Sequence, residues 1–177
     1  PVFSFIFQGG KCKGCQSKIS WQYPLLELVT GLIFLLVGRY FFDLLDRGTW
    51  GETAWLLVLA SLLLAIAAYD LLYMEIPVSL LIMAVCVTVV FLVFKSSGQM
   101  FSLQNTLFQG VFGALVIGGF FFALVFVSKE TWMGWGDVWL GALAGLTIGL
   151  SSALFMMTLS FGSGAIISIF LMAFGNK

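Results

Sequence analysis

Apolar runs long enough to cross a bilayer recur along this chain with little between them, and they set the limits on its fold. After a polar stretch at 1–22 they fall at about 23–44, 53–73, 77–95, 107–128, 136–149 and 152–174. A hydrocarbon core about 30 Å thick takes roughly 20 helical residues to cross. The chain is 61% hydrophobic and 9% charged, with 19 phenylalanines among 177 residues. A soluble domain of this length cannot hide so much apolar surface, so the expected fold is an all-α polytopic transmembrane bundle of about six spans. The fifth run is short. The stretch from Trp132 to Phe174 still has room for two spans, with Gly149-Leu150-Ser151-Ser152 as the expected turn. The sequence starts at Pro1 with no signal pattern ahead of the first span and stops at Asn176-Lys177 directly after an apolar run, so we expect a piece of a longer chain.

The polar residues restrict the chemistry. The formal net charge is zero, which gives no footprint for nucleic acid. The chain has no histidine, which removes Ser-His-Asp and Cys-His nucleophilic chemistry and the HExxH zinc proteases. A hydrolase built from these residues relies on carboxylates, a hydroxyl–lysine pair or an unusual metal site. Cationic residues orient the spans. With Lys11, Lys13 and Lys18 in the cytoplasm, six alternating spans bring Lys129 and Lys177 to the same side and leave Arg39, Arg47 and Lys95 opposite. The loops after the second and fourth spans share a face whatever the orientation, and with them Asp70 and Asp137.

Those two aspartates are the leading candidates. A charge in or beside an apolar span is costly and marks function by default. Asp70 comes late in the second span, in AYDLLYMEIP, and Pro77 suits the first turn of the third. Asp137 follows Gly134-Trp135-Gly136, where glycines allow a sharp bend and the start of a helix favours negative charge. Two carboxylates sharing a small, partly dry site cannot both ionise easily, so one stays protonated while the other acts as base toward a water. The bland alternative is that each is a hydrated helix-end residue. Gly141, Gly145 and Gly149 form a GxxxGxxxG stripe on the fifth span, read as a packing seam that holds Asp137 against a neighbour.

AYDLLYMEIP and GWGD resemble the two aspartate motifs of the prepilin peptidases, or type IV leader peptidases: an aspartate followed by Ile/Leu-Pro, then GxGD. The N-terminal segment is similar to the family's loop from CxxC through Tyr-Pro-x-x-Glu to glycine, here Cys12, Cys15, Tyr23, Pro24, Glu27 and Gly31. The resemblance implies a membrane aspartyl endopeptidase with Asp70 and Asp137 as its dyad, supported by Gly134 and Gly136. It would remove basic leaders from prepilins and pseudopilins, usually after a glycine, at the cytoplasmic face of a bacterial inner membrane. On this reading residues 1–22 are a cytoplasmic CxxC loop and 23–177 the peptidase domain. Two departures stand out: Val78 occupies the place after Ile-Pro where the family often has an acid or amide, and Trp139 stands where a lysine is common.

Other residues keep two readings. Glu75 attracts a basic leader or is a solvated loop acid. Glu27 caps or hydrates the first helix end, or contributes to substrate or cofactor binding. Cys12 and Cys15 have zinc-ligand spacing but supply two of four ligands, which an upstream CxxC would complete in the family; otherwise they are free thiols. Cys86, within an apolar run, is expected in the core. No cofactor is required for peptide cleavage, and S-adenosylmethionine enters only if the full-length protein is also a methyltransferase. Two rivals come from other classes. A proton-coupled transporter would relay protons through Asp70, Asp137 and Glu27 near mid-bilayer, and a non-catalytic secretion-machine subunit would tolerate Asp→Asn at either position.

Overall fold

The computed structural model describes residues 2–43, 46, 48–96 and 106–174. Six helices follow in chain order: α1 (Val2–Phe7), α2 (Gln22–Phe41), α3 (Gly48–Tyr73), α4 (Val78–Ser96), α5 (Thr106–Ser128) and α6 (Trp135–Phe174). No strand occurs among the described residues. Helices α2 to α6 are long and apolar enough to cross a membrane, which bears out the all-α membrane expectation. Two of the cationic residues used for orientation, Arg47 and Lys177, lie outside the described residues, as do Pro1 and Asn176.

The chain divides into two compact units, 1–87 and 88–177. In the first, the polar stretch holds a helix that its lysines obscured. VFSFIF forms α1, and Phe5 is buried against Trp21 with ring centroids 4.8 Å apart, edge to face. Phe5 alone of the six is buried, and Phe3, Ile6 and Phe7 stay exposed. The join between α2 and α3 is tied by side chains: the Trp50 indole N–H donates to the Asp43 carbonyl at 3.0 Å and the Thr49 hydroxyl to the Asp46 carbonyl at 2.8 Å. At its far end α3 stops because Met74 adopts φ 54°, and its N–H returns to the Asp70 carbonyl at 2.7 Å. Pro77 precedes α4 by one residue and accepts from the Leu81 N–H, closing the first turn.

Cys86, expected in the core, is exposed on α4. An apolar side chain on a span need not find protein, because lipid tails are as apolar as a core. The same holds for long tracts of exposed Leu, Val and Phe along every spanning helix.

In the second unit α5 and α6 run antiparallel through glycine contacts. A Cβ at Gly110 would lie 2.6 Å from the Leu146 carbonyl oxygen, and one at Gly118 would lie 2.9 Å from the Ala142 Cβ. At Gly145 a methyl would collide with the Gly113 carbonyl. The GxxxGxxxG stripe is thus one half of a seam, and Gly110, Gly113 and Gly118 are the other.

Helix α6 is two limbs. Gly149 has φ 73° and ψ 171°, a conformation open essentially to glycine alone. Asp137 and Phe161 line one cavity of about 300 Å³, although a straight helix would hold residues 24 apart about 36 Å from each other. Phe161 also stacks on Phe121 of α5 at 6.1 Å. The chain therefore doubles back at Gly149, the first residue of the expected turn. Residues 135–148 and 150–174 are the expected fifth and sixth runs, the fifth short as read.

The seam makes a direct comparison available. Gly145→Ala should destabilise the purified protein in detergent by about 1–3 kcal/mol, the usual range for overpacking. Gly164→Ala adds the same methyl where no atom lies within 4 Å, and should leave the melting temperature unchanged or slightly raised. Equal melting temperatures for the two variants would refute the seam.

Candidate active site

Asp137 is the third residue of α6 and its position is set locally. Its Oδ2 accepts from the Gly134 N–H at 3.2 Å, and its own N–H donates to the Gly134 carbonyl at 3.2 Å. This is the acidic half of a capping box: the side chain reaches back to an N–H that the helix leaves without a partner. Glycine at the cap supplies no side chain, so the carbonyl takes the reciprocal bond. The approach is held as well. Helix α5 ends in a left-handed turn through Lys129 and Glu130, φ 50° and 64°, with the Glu130 N–H returning to the Val125 carbonyl at 3.1 Å. The Glu130 Oε1 then accepts from the Trp135 indole N–H at 2.6 Å, and Trp135 packs edge to face on Phe122 at 5.7 Å. Asp137 is half-buried, as is Gly136, and Gly134 is exposed.

Asp70 lies in the last turn of α3, exposed, three residues before its end at Tyr73. Glu75 follows in the link to α4 and is exposed too. Both aspartates therefore sit within a turn of a helix end. Each also has aromatic neighbours in the chain of the kind found at membrane–water interfaces. Tyr69 and Tyr73, one residue before Asp70 and three after it, pack on each other at 4.5 Å, and Trp132, Trp135 and Trp139, near Asp137 in sequence, are exposed. The two aspartates belong to different compact units.

Glu27 is half-buried, and its Oε2 accepts from the Val2 N–H at 2.6 Å, which caps the start of α1 and ties that helix to α2. No spacing rule in the sequence joins residues 2 and 27.

The CxxC lies on a tight hairpin. The Cys12 N–H donates to the Ser17 carbonyl at 2.9 Å, the Gln16 N–H to the Cys12 carbonyl at 2.9 Å, and the Ile19 N–H to the Gly10 carbonyl at 2.8 Å. The exposed Cys15 Sγ lies 2.9 Å from the Ser17 hydroxyl. That bond first, then the Ser17 backbone and the Cys12 thiol, lowers the Cys15 pKa to about 7. Among the described residues no group of three or more His, Cys, Asp or Glu gathers as a metal site. The pair thus presents two thiol ligands, and a tetrahedral zinc held there needs two more from elsewhere.

A lowered thiol pKa means that thiolate accumulates as pH rises through about 7, earlier than for an ordinary cysteine. Alkylation of Cys15 by iodoacetamide, followed by mass spectrometry, should reach half its maximal rate near that pH. Ser17→Ala should move the midpoint upward by removing the leading cause. An unmoved midpoint would mean that the hydroxyl does not bear on the thiol.

Comparison with known proteins gives two family matches. Residues 1–41 match the family model for the bacterial peptidase A24 N-terminal domain, and residues 57–169 match that of the type IV leader peptidase family. Among curated proteins the chain is similar to the prepilin leader peptidase/N-methyltransferase of Bacillus subtilis (strain 168), 33% identical over 174 residues, covering 95% of this chain and 64% of that protein. It is similar to the protein of the same name in Aeromonas hydrophila, 32% identical over 99% of this chain and 58% of the relative. For Pseudomonas aeruginosa the values are 31%, 99% and 58%. The chain thus spans about three-fifths of the length of these relatives. No solved structure matches it.

Proposed function

The chain belongs to the type IV leader peptidase family, and on that footing we propose that it is the catalytic part of a membrane aspartyl endopeptidase that removes leader peptides from prepilin or pseudopilin substrates. The observation that carries this reading is Asp137 itself. It ends the GxGD motif inside the family match, and its carboxylate is held by the Gly134 N–H one turn from a helix end.

Asp70 is the second carboxylate. Two crossings, α4 and α5, separate the aspartates along the chain. With each crossing once in the proposed topology, both acids serve one side of the membrane. In the proposed reaction the ionised member of the dyad takes a proton from water as that water's oxygen attacks the scissile carbonyl carbon. The protonated member donates its proton to the carbonyl oxygen. As the C–N bond breaks, the member that took water's proton passes it to the leaving nitrogen while the other recovers a proton from a hydroxyl of the tetrahedral diol, which leaves a carboxylic acid, an amine and a dyad again holding one proton. No metal enters these steps.

The helix-end placement of both acids supports this reading over a mid-membrane proton relay, since hydrolysis needs water and a polar leader has no place in the hydrocarbon. The active face is the cytoplasmic face of the bacterial inner membrane, where Lys11, Lys13, Lys18 and Lys129 lie on the orientation argued from charge. Glu75, in the link after Asp70, adds negative charge that draws a basic leader. A zinc ion at Cys12 and Cys15 would serve the loop and not the cleavage. Methyl transfer from S-adenosylmethionine is a property of the full-length protein where it occurs.

The test uses substitutions that spare the fold. Asparagine keeps an amide oxygen for the Gly134 N–H, so Asp137→Asn retains the cap and loses only the acid. In membranes carrying the full-length protein, Asp137→Asn and Asp70→Asn should each lower prepilin cleavage at least about a hundredfold, the low end for loss of general acid–base catalysis. Expression and melting temperature should stay at wild-type values. Cleavage that survives either substitution would rule out the dyad.

A further inference from the structure

The corner by which α5 leads toward Asp137 is strained. Lys129 and Glu130 both take left-handed torsions, φ 50° and 64°, which glycine and asparagine adopt at lower cost than long side chains do. Such a conformation persists only where its surroundings hold it, and it points to a use. Bonds to the last turn of α5 do the holding. The Glu130 N–H donates to the Val125 carbonyl at 3.1 Å, and the Thr131 N–H and hydroxyl donate to the Ser128 carbonyl at 3.1 and 2.6 Å. The corner aims one side chain. Glu130 Oε1 accepts from the Trp135 indole N–H at 2.6 Å, the short kind of bond that a carboxylate makes. Both partners are exposed, so the bond contributes little to keeping the chain folded.

We propose that Glu130 is a positioning residue for cleavage: by holding Trp135 it fixes the Gly134 N–H that orients the Asp137 carboxylate, an inference that rests on the peptidase reading of Asp137. Trp135 stands between the two glycines of Gly134-Trp135-Gly136-Asp137. Those glycines restrain the turn little by themselves. A Cβ at Gly134 would meet nothing closer than the Gly136 nitrogen at 4.0 Å, so packing at Gly134 does not fix it. The indole is fixed twice, by its N–H on Glu130 and by its ring edge to face on Phe122 at 5.7 Å. Phe122 in turn stacks on Phe126 at 6.1 Å, which carries the hold back into α5. Released from Glu130, the indole keeps one hold and the turn regains its freedom. The Asp137 Oδ2 then loses the fixed direction of its bond from the Gly134 N–H. A reacting group displaced by about 1 Å can cost about a hundredfold in rate. The choice of glutamate at 130 fits this part, since glycine or asparagine would suit the torsion better and neither extends to the indole.

Substitutions in the full-length protein in membranes separate reach, charge and strain. Glu130→Asn suits the left-handed corner and is too short for the indole. Glu130→Gln keeps an oxygen at the same reach without the charge, and Trp135→Phe keeps the ring on Phe122 without the donor. In prepilin cleavage, Glu130→Asn and Trp135→Phe should each lower kcat about tenfold or more with KM within about twofold, as for misplaced reacting groups. Glu130→Gln should recover most of that loss. The double variant Glu130→Asn/Trp135→Phe should be no slower than the slower single variant, because the same bond is lost in all three. Single losses that multiply in the double variant overturn the proposal, as does a melting temperature that falls along with kcat in both single variants. A second measurement needs no turnover: labelling of Asp137 by a water-soluble carbodiimide, mapped by mass spectrometry. Glu130→Asn and Trp135→Phe should speed it about threefold as the carboxylate loses its hydrogen bond, with Glu130→Gln near the wild-type rate. Equal labelling rates across the variants overturn the proposal whatever the cleavage assay gives. Faster labelling in the two variants, with no prepilin cleaved by wild type, would sink the peptidase reading alone and leave the placement of Asp137 by Glu130 standing.

Discussion

The close approach of α5 and α6 governs the second unit, and it depends on having no side chain at the contact. Between membrane helices there is no hydrophobic gain from leaving lipid, so packing must come from surfaces that fit closely. Here the fit is backbone on backbone: the Gly113 carbonyl occupies the space that a Cβ at Gly145 would take, and the Leu146 carbonyl does the same at Gly110. A helix pair this close fixes where α6 begins, and so where the carboxylate three residues into it stands. The seam reaches the break itself, since a Cβ at Gly113 would lie 3.0 Å from the Gly149 carbonyl carbon. The first limb covers about 21 Å in 14 residues. The chain reverses through a backbone conformation that only glycine takes readily, and the returning limb stacks Phe161 on Phe121. The cavity beside Asp137 is the space that this folding leaves between small residues.

Asp137 is held by a motif that would exist at many helix starts, and that is informative about how a membrane acid is kept. The GxGD segment supplies an acceptor carbonyl and a donor N–H from one residue, Gly134, so the carboxylate is oriented without a second side chain beside it. The remaining carboxylate oxygen is not used by this cap. Trp135 restrains the turn through Glu130 and Phe122 instead of through Asp137, which leaves the acid's approach uncrowded. Asp70 is placed by other means, at a helix end closed by a left-handed Met74, with Tyr69 and Tyr73 packed on each other beside it in the chain.

Much of this was legible from the chain because membrane folds write their plan in composition. The runs at 53–73, 77–95 and 107–128 became α3, α4 and α5 with bounds shifted by a few residues. Gly149 broke α6 as expected, since glycine is the residue that tolerates the required torsions. The helix α1 was not legible: three lysines and the CxxC gave residues 1–22 a polar character, and the burial of Phe5 under Trp21 depends on a contact 16 residues away. Glu27 showed the same limit, since its partner Val2 is set by the fold of the loop between them. The partner glycines on α5 were present in the sequence at 110, 113 and 118 but lacked the regular four-residue spacing that made the α6 stripe visible. Cys86 was misplaced by a rule for soluble cores, applied where lipid is an equally good surroundings for a thiol.

A peptidase in a membrane must reconcile two needs that soluble enzymes meet more easily: water for the attack, and an apolar setting for a hydrophobic substrate. Acids buried at mid-membrane would meet the second and starve the first, and acids on a free loop would do the reverse. A carboxylate within one helical turn of a span's end, as Asp70 and Asp137 both are, meets both needs on the proposed reading. The cavity beside Asp137 is walled by Met133, which precedes α6, and by Met157 and Phe161 of the second limb. Asp137 and the apolar cavity beside it thus belong to one helical hairpin. Both follow from a single design element, since the small residues that bring α6 against α5, Gly141 and Ala144 among them, also line the space beside the acid.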